Sequence, residues 1–462
     1  MELTLEGAAA AMGGTLSDPS VRLARPTGVS IDSRGVRAGE LFFAIPGERF
    51  DGHDFVSDAF RMGAVCSVVQ DDRRVDRGLG PLIAVKDTIG ALQKLSAHYR
   101  SKLSCTVVAV TGSNGKTTTK DLVAHVLAGA HQVGGTQGNL NNHLGVPLTL
   151  LSLRPEHEAA VIEMGASRRG EISILARLAR PRIGIITNVG PTHLEEMGSV
   201  ENVARTKAEL ASELISGGTL AVNGDDDMLL SAVKSLSRKD INVITCGFGR
   251  SCRVRAMGCR SLGLKGIEFE VEGYGAATIP TLGSHNVYNA LLAIAVGREM
   301  GMAFPEMRAR MATFRPPSMR LEVLRVGGLV VLNDSYNSNP ASAEAALKAL
   351  REYPGRGRRV AVLGDMLELG SHSERLHKEL GKKASFVDWL LAIGHWAQDM
   401  VGAAVDAGLD PGRASVYPDK GALAAALRGG LKRGDVVLIK ASRALGMEEI
   451  AQALEGGLPK GT

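Results

Sequence analysis

At 462 residues the chain exceeds the roughly 250–300 residues at which a single core stops growing, so two to three domains are expected. A hydrophobic content of 44% supports buried cores, while a net charge of only +5 and an aromatic content of 4% argue against nucleic-acid binding and favour small anionic substrates. No apolar run approaches the ~18 residues of a membrane span, the amino-terminal MELTLE lacks the basic start of a signal peptide, and the five cysteines show no C-x-x-C spacing, so we expect a cytoplasmic protein with reduced thiols.

The chain divides into three α/β blocks. Residues 1–85 alternate short apolar runs such as ELFFAIPG and GAVCSVV with polar turns, which predicts a small N-terminal α/β domain. Residues 317–462 contain LVVLNDSY, RVAVLGDM, WLLAIGH and DVVLIKAS, each followed by a helical segment. This order predicts a Rossmann-like C-terminal domain.

The central block, residues 86–316, has the order of a doubly wound parallel sheet. TVVAVTG, AAVIEMG and RIGIITNVG are typical of buried strands, and helices are predicted after them over residues 117–127, 170–179 and 200–214. Glycine-punctuated alternation over residues 253–282 predicts an antiparallel meander at one edge of this sheet. The paired prolines of FRPPSMR end the last helix and predict a hinge.

A glycine-rich turn follows the first central strand in VVAVTGSNGKTTTKDL. Its free backbone N–H groups would surround an anion at a helix N-terminus, with Lys116 at the β/γ-phosphates and the Thr117 hydroxyl on Mg²⁺. The generic P-loop spacing is not met, because Val110 stands where it places glycine. A glycine turn with an exposed lysine is the alternative, but the strand–loop–helix context favours phosphate binding. The predicted loop residues are Gly112, Ser113, Asn114, Gly115, Lys116, Thr117 and Thr118.

Two further polar residues follow strands of the same predicted sheet. Glu163 lies at the carboxyl end of AAVIE, where ligands gather in open α/β sheets, and beside a phosphate loop we favour a metal ligand over a structural carboxylate. His193 follows another strand, and the residues alone leave a ligand and a structural role equally open.

The motifs resemble those of the Mur ligases, the ATP-dependent amino-acid-adding enzymes of peptidoglycan synthesis. TGSNGKTT, TQGNLNNHLGVPLTLL, EMGASRRGEI, TNVGPTHLEEMGS, TKAEL and GSHNVYNALLAIA occur in the order typical of that family. NDSYNSNPASAEAAL, AVLGDMLELG and KASRALGMEE resemble the branch that joins D-alanyl-D-alanine to UDP-N-acetylmuramoyl-tripeptide, and the D-N-P-R string usual in the diaminopimelate-adding branch is absent. IDSRGVRAGELFFAIPGERFDGHDF resembles the family's uridine-diphosphate-binding segment, so the resemblance covers nearly the whole chain.

The resemblance implies ATP, two Mg²⁺ ions and a modified lysine at the catalytic centre. Thr117 and Glu163 match the first magnesium site, and His193 matches a ligand of the second. Lys207 in TKAEL matches the lysine that the family carbamylates, since a carbamate offers anionic oxygen to a cation that an ammonium would repel. Without the resemblance, Lys207 would be taken as an exposed helix lysine. Lys116, Glu163, His193 and Lys207 are thus the implied catalytic residues.

The resemblance also implies binding residues for the three substrates. Beyond the loop, those for ATP are Asn289, Arg320, Asp334 and Tyr336. Those for UDP are Ser33 and Arg34, those for the muramoyl peptide are Thr136, Asn139, Asn141 and Asn142, and those for the dipeptide are Asn337, Ser338 and Asn339. Without it, NLNN and YNSNP would be Asn-rich turns. One departure is Ala441 in KASRALG, where the family has glycine.

The reaction implied is ATP-driven amide formation through an acyl phosphate of the tripeptide, which the amine of D-alanyl-D-alanine then attacks. We expect a monomer with no nucleic-acid partner. Another ligase of this architecture, such as the diaminopimelate-adding enzyme or folylpolyglutamate synthase, and a P-loop ATPase that needs no acceptor are the alternatives. Acceptor-dependent ADP release separates them. The sequence leaves open whether the third tripeptide residue is meso-diaminopimelate or lysine.

Overall fold

The described part of the chain forms three separate sheets. The structure, a computed structural model, describes residues 3–71, 73, 75–76 and 78–455, so the ends of the two outer predicted domains, including Met1 and Glu2 of MELTLE, lie outside the described residues. The sheets have five, nine and six strands and fall within the three predicted blocks. The α/β prediction is therefore confirmed, while the domain boundaries stay a prediction. In the described part of the chain no helix has the length and apolar character needed to cross a membrane.

The first sheet has the strand order β1-β5-β4-β3-β2, with β1 antiparallel to β5 and the other pairs parallel. Its elements are α1 (Leu5–Met12), β1 (Thr15–Leu16), β2 (Val29–Ser30), β3 (Leu41–Phe43), α2 (Val56–Arg61), β4 (Cys66–Gln70), β5 (Leu82–Val85) and α3 (Thr88–Arg100). Asp87 starts α3 by accepting hydrogen bonds from two backbone N–H groups of its first turn. The buried face of α3 joins the core of the first sheet to that of the second.

The second sheet has the order β14-β13-β12-β11-β10-β9-β6-β8-β7. Its strands are β6 (Thr106–Thr111), β7 (Val133–Gly135), β8 (Ala159–Glu163), β9 (Ile183–Ile186), β10 (Thr219–Asn223), β11 (Asn242–Gly247), β12 (Val254–Ser261), β13 (Ile267–Val271) and β14 (Gly275–Ile279). Strands β6 to β11 are parallel, and β12, β13 and β14 pair antiparallel at the edge. The predicted edge meander is thus confirmed.

Helices cover both faces of the second sheet. They are α4 (Lys116–Leu127), α5 (Gly145–Ser152), α6 (Glu171–Ala179), α7 (Leu194–Met197), α8 (Val200–Ser212), α9 (Asp227–Ser235), α10 (His285–Glu299) and α11 (Phe304–Ala312). Alternate residues of β6 enter two different cores, Val107 on one face and Val108 on the other. A strand buried on both faces is apolar along its length, which is why its pattern could be predicted. The helix predicted to end at residue 214 ends at Ser212, because Glu213 leaves helical geometry and its carboxylate binds Arg177.

The third sheet has the order β15-β16-β20-β17-β18-β19, with only β15 antiparallel. Its elements are β15 (Glu322–Val326), β16 (Leu329–Asp334), α12 (Pro340–Glu352), β17 (Arg359–Gly364), α13 (Ser373–Ala384), β18 (Trp389–Ile393), α14 (Ala397–Asp406), β19 (Ala414–Tyr417), α15 (Lys420–Gly430), β20 (Val436–Lys440) and α16 (Glu448–Glu455). The four predicted strands are present. The prediction missed β15 and β19, which lie at the two edges and are half-exposed, so neither has a continuous apolar run.

Candidate active site

Loops that follow strands of the second and third sheets line one cavity of about 1030 Å³. The predicted residues on its wall are Ser113, Asn114, Gly115, Lys116, Thr117, Thr118, Asn139, Asn141, Asn142, Glu163, His193, Asn289, Arg320, Asp334, Tyr336, Asn337 and Asn339. Ligands of open α/β sheets bind at the carboxyl ends of the strands, and this cavity lies at those ends.

The glycine loop between β6 and α4 has the tight backbone that phosphate loops need. Gly112 has φ of 142°, and a Cβ there would lie 2.0 Å from Thr187 Oγ1. Gly115 begins α4 in the left-handed region with φ of 77°. Only glycine fits at residue 112. The loop therefore has the conformation of a phosphate loop even though Val110 stands where the generic spacing places a glycine.

Two loop N–H groups are already bonded, contrary to the expectation that all would be free. Ser113 and Asn114 donate from their backbone nitrogens to Asn188, to O at 2.9 Å and to Oδ1 at 3.0 Å. The reason is that the short loop packs against the segment that follows β9. The N–H groups of the first turn of α4 have no partners within their own helix and remain suited to an anion.

The Lys116 side chain folds back and contacts the loop that precedes it. Its Nζ donates to the carbonyl oxygens of Gly112 at 3.0 Å and Ser113 at 3.2 Å. The side chain is half-buried, and burial lowers the pKa of Lys116 while the negative charge of Glu163 opposes that shift. Lys116 is therefore half-buried rather than exposed, and its role at a phosphate stays a prediction.

Glu163 has one satisfied and one orphaned carboxylate oxygen. It is 1% exposed; Oε1 accepts from Asn141 Nδ2 at 2.7 Å, and its backbone N–H donates to Thr136 Oγ1 at 3.0 Å. Oε2 is buried and has no hydrogen-bond partner among the described residues. A buried carboxylate oxygen without a donor fits a hard cation, for which oxygen ligands are preferred.

The described residues contain no group of three or more His, Cys, Asp or Glu placed to hold a metal. A single cavity carboxylate such as Glu163 fits Mg²⁺, which is commonly bound by one or two carboxylates together with water and substrate phosphate. The site does not resemble one in which protein side chains supply all the metal ligands.

Residues of the third block reach the glycine loop. Arg320 Nη2 donates to Thr117 Oγ1 at 2.8 Å, and its guanidinium carbon lies 4.0 Å from the centre of the Tyr336 ring. Asn339 Nδ2 donates to Asn114 Oδ1 at 2.6 Å. The predicted phosphate-binding and dipeptide-binding segments therefore meet at direct side-chain contacts.

The asparagines also have local structural roles, as the Asn-rich-turn alternative expects. Asn142 Oδ1 accepts from backbone nitrogens at the start of α5, and Asn339 Oδ1 accepts from Ser342 N at the start of α12. Asn289 Oδ1 accepts from Thr119 Oγ1 at 3.0 Å, which ties α10 to α4. Cavity-lining and capping roles coincide in the first two.

Lys207 is 1% exposed on α8, so the exposed-lysine alternative is wrong for this residue too. Its Nζ donates to Ala166 O at 3.2 Å, and Ala166 lines the cavity. Burial, with a smaller contribution from the positive charge of Lys116, lowers the pKa of Lys207 to about 7.

His193 lines the cavity just before α7 and points its Nδ1 at a carboxylate of the third block. The distance to Glu368 Oε2 is 2.6 Å. The hydrogen bond from His193 holds the pKa of Glu368 below its usual range.

Six predicted residues do not line the cavity: Gly112, Ser33, Arg34, Thr136, Lys207 and Ser338. Arg34 is exposed in the first block and binds Asp32 at 2.9 Å, away from the phosphate loop. Thr136 is buried behind Glu163. Ser338 Oγ is buried and has no hydrogen-bond partner among the described residues.

Sequence reasoning missed Lys440 and Asn188. Lys440 ends β20, is 2% exposed, and donates from Nζ to Asp334 Oδ2 at 2.6 Å and Asn337 O at 2.9 Å. A lysine directly after the apolar run DVVLI was an available signal, since a charge at the carboxyl end of a buried strand faces the ligand edge. Asn188 follows β9 in TNVG and gave no comparable signal, because its role depends on the spacing between two loops.

A glycine-rich loop at a helix N-terminus, a buried carboxylate and a polar loop from another sheet are the features expected of a nucleotide-dependent enzyme. Three family models match the chain: Mur ligase family, catalytic domain over residues 25–100; Mur ligase middle domain over 110–297; and Mur ligase, glutamate ligase domain over 319–443. A Bacillus subtilis protein named UDP-N-acetylmuramoyl-tripeptide--D-alanyl-D-alanine ligase is 38% identical over 457 residues, 98% of each chain. The chain belongs to the Mur ligase family.

Solved structures agree with this assignment. A crystal structure of MurF from Acinetobacter baumannii is 29% identical, with a TM-score of 0.89 over 98% of this chain and 99% of that one. MurF ligase from Thermotoga maritima in complex with ADP is 29% identical, with a TM-score of 0.82 over 94% and 98%. The predicted family and the predicted fold are both confirmed.

Proposed function

We propose that the chain joins D-alanyl-D-alanine to UDP-N-acetylmuramoyl-tripeptide at the expense of ATP, releasing ADP and phosphate. The observation that carries this proposal is that Asn337 and Asn339 of the DSYNSNP segment line the same cavity as the phosphate loop. The 38% identity to the Bacillus subtilis ligase over 98% of both chains supports the same substrates. Whether the third tripeptide residue is meso-diaminopimelate or lysine is decided by the assay described below.

ATP is the proposed nucleotide, since a structural relative has been solved with ADP. We propose that the first turn of α4 binds the β- and γ-phosphates through backbone N–H groups, and that Lys116 exchanges its loop carbonyls for phosphate oxygens. Arg320 lies within 2.8 Å of the Thr117 hydroxyl, so its guanidinium can contact the same phosphates. Asn289, Asp334 and Tyr336 complete the proposed nucleotide site.

Mg²⁺ is proposed to bind at Thr117, Glu163 and His193. The orphaned Oε2 of Glu163 supports the first position, and the place of His193 on the cavity wall supports the second. Bound there, the ions would supply positive charge to the transferring phosphoryl group. Asn141 and Thr136 hold the Glu163 carboxylate and backbone in place for this role.

Lys207 is proposed to become a carbamate. An amine with a pKa of about 7 is about half uncharged at neutral pH, against a very small fraction for an ordinary lysine, and the uncharged amine is the form that adds to carbon dioxide. The product would place an anionic group behind Ala166 on the cavity wall. Burial of the side chain would also protect the carbamate from water.

The proposed reaction has two steps. The terminal carboxylate of the tripeptide attacks the γ-phosphorus, the bond to ADP breaks, and an acyl phosphate forms. The uncharged amine of the dipeptide attacks the acyl carbon, loses its proton, and phosphate leaves as the amide forms. Lys116 and Arg320 stabilise the phosphoryl charge, and the contact of Asn339 with Asn114 keeps the acceptor side closed against water.

The acceptor site is proposed at Asn337, Ser338 and Asn339. Uncharged hydrogen-bonding groups suit the amide and carboxylate of a dipeptide, and Ser338, whose buried hydroxyl has no partner among the described residues, stands between the cavity-lining Asn337 and Asn339 in the sequence. Asn139, Asn141 and Asn142 are proposed to face the muramoyl peptide, with Ser33 and Arg34 at the UDP end. Residues 1–85 would then bind UDP, residues 86–316 would bind ATP, and residues 317–462 would bind the dipeptide.

A monomeric, cytoplasmic enzyme remains part of the proposal. The cytoplasmic location is supported by the cysteines Cys66, Cys105, Cys246, Cys252 and Cys259, which are all free thiols in the structure, as expected in a reducing compartment.

An ADP-release assay tests the proposal. The enzyme is given ATP, Mg²⁺ and UDP-N-acetylmuramoyl-tripeptide carrying either third residue, each with D-alanyl-D-alanine, meso-diaminopimelate, D-alanine, glutamate or no acceptor. We expect release only with the dipeptide, and Asn337→Ala should raise the KM for the dipeptide more than the KM for ATP. Release without any acceptor would favour an ATPase, and release with a single amino acid would favour another ligase of the family.

A further inference from the structure

We infer that Glu368, on the third block, is a positioning residue that orients the His193 imidazole toward the catalytic cavity. The inference rests on the proposed function, in which His193 is a magnesium ligand. It adds a residue from another sheet to the support of that ligand.

The contact itself fixes one ring nitrogen. His193 Nδ1 lies 2.6 Å from Glu368 Oε2, a distance at which the carboxylate favours a proton on Nδ1. Nε2 has no hydrogen-bond partner among the described residues. A carboxylate that holds one imidazole nitrogen while the other is free is the arrangement found behind metal-binding histidines.

Both backbones are held in an unfavourable conformation at this contact. His193 has φ of 51° and Glu368 has φ of 63°, in the left-handed region that non-glycine residues rarely adopt. Such a conformation is unfavourable and persists only where the surrounding structure holds it. An incidental surface contact would not need either conformation.

The two loops are also packed together beside this contact. Leu194 and Leu369, the next residue in each loop, are buried in the same hydrophobic core. Glu195 N donates to Glu368 O at 3.4 Å, and a Cβ at Gly370 would lie 3.4 Å from Glu195 Cα. The loop of the third block is therefore docked on the loop that carries His193.

The contact is otherwise weak as a stabilising element. The side chains of His193 and Glu368 are 28% and 57% exposed, and contacts between exposed polar groups add little to stability. The value of the contact lies in orientation. Docking of the third block would thus complete the second cation site, so acceptor-side closure and His193 alignment would occur together.

The test compares Mn²⁺ binding, measured by electron paramagnetic resonance with ADP present and no acceptor, in wild type, Glu368→Ala and Glu196→Gln. Glu196 is the matched control, since it lies on α7 and pairs with Arg168 at 3.0 Å outside the cavity. We expect Glu368→Ala to weaken Mn²⁺ about tenfold or more, the usual effect of removing such a support, and the control to bind as wild type. Unchanged Mn²⁺ affinity in Glu368→Ala would overturn the inference.

A double-mutant cycle separates positioning from a general structural effect. In a His193→Ala background, Glu368→Ala should change neither Mn²⁺ affinity nor the Mg²⁺ dependence of turnover further, because the residue acts only through His193. An equal loss in both backgrounds would contradict this. If Glu368→Ala does not fold, Glu368→Gln decides: nitrogen NMR shifts of the His193 ring must change, and unchanged shifts together with unchanged affinity would overturn the inference.

These measurements need no acceptor. A failed dipeptide assay would therefore reject the proposed function, while the Mn²⁺ measurements would still test the role of Glu368 separately.

Discussion

Asn141 holds one oxygen of the Glu163 carboxylate at 2.7 Å, and the other oxygen remains buried without a partner among the described residues. Burying such an acceptor costs about 1–3 kcal/mol, so the site accepts a loss of stability that a cation would recover. The orphaned oxygen is the clearest sign in the structure that the cavity is completed by a ligand.

Glu163→Gln should abolish turnover without unfolding the protein. The amide oxygen can still accept from Asn141, but the negative charge is lost, so we expect a rate lower by about a thousandfold or more. Steady-state kinetics with a Mg²⁺ titration, together with thermal unfolding, measure this. Glu158→Gln, at an exposed carboxylate just before the same strand, is the control and should be active. Near-normal turnover in Glu163→Gln would remove Glu163 from the site.

Lys207 variants test the carbamate. Lys207→Ala should be nearly inactive, and added short carboxylic acids should restore part of the rate by filling the vacant position. Lys207→Arg keeps a cation but cannot form a carbamate, so it should be as poor as alanine. Mass spectrometry of the intact wild-type protein under carbon dioxide provides an independent readout. Substantial activity in the arginine variant would contradict the carbamate role.

Breaking the Lys440–Asp334 pair should destabilise the third block. Lys440 is 2% exposed, and Lys440→Met leaves the Asp334 carboxylate largely buried without its cation, which typically costs about 3–5 kcal/mol. Urea unfolding measures the loss. Adding Asp334→Asn should recover part of it, because no unpaired charge then remains. If the double variant is no more stable than Lys440→Met, the pair is not what stabilises this loop.

Acid should weaken the fold partly through His285. Burial lowers the pKa of His285 to about 4, with Lys440 and Lys348 adding to the shift and Asp334 opposing it. The unfolded chain has the ordinary pKa of about 6.5, so between about pH 6.5 and pH 4 it binds more protons than the folded chain. Stability is therefore lost as pH falls through that window. His285→Gln should lose less free energy of unfolding than wild type between about pH 7 and pH 4.5 in urea titrations. Parallel losses in the two proteins would contradict the shift.

The sequence predicted what depends on local pattern. Strand β6 is apolar on both faces and is followed by a glycine-rich loop. At Gly112 no other residue would fit, so strand, loop and helix could be predicted together. Glu163 could be found because it ends a buried strand. The edge strand β19 is half-exposed and left no pattern to detect.

What the sequence could not predict are contacts between distant segments. The bonds from Ser113 and Asn114 to Asn188, and the pairing of His193 with Glu368, depend on how loops from different parts of the chain approach one another. The burial of Lys207 was likewise hidden, since a lysine in an amphipathic helix is normally exposed. The motif resemblance, rather than the residue pattern, directed attention to that lysine.

Mass spectrometry of the product tests the proposed reaction most directly. Wild-type protein is incubated with ATP, Mg²⁺, UDP-N-acetylmuramoyl-tripeptide and an equimolar mixture of D-alanyl-D-alanine, D-alanine, glutamate and meso-diaminopimelate. The uncharged acceptor loop of Asn337, Ser338 and Asn339 predicts one product, heavier than the tripeptide by one dipeptide less one water, formed in equal amount with ADP. A product that carries a single amino acid, or ADP release with the tripeptide unchanged, would contradict the proposed reaction.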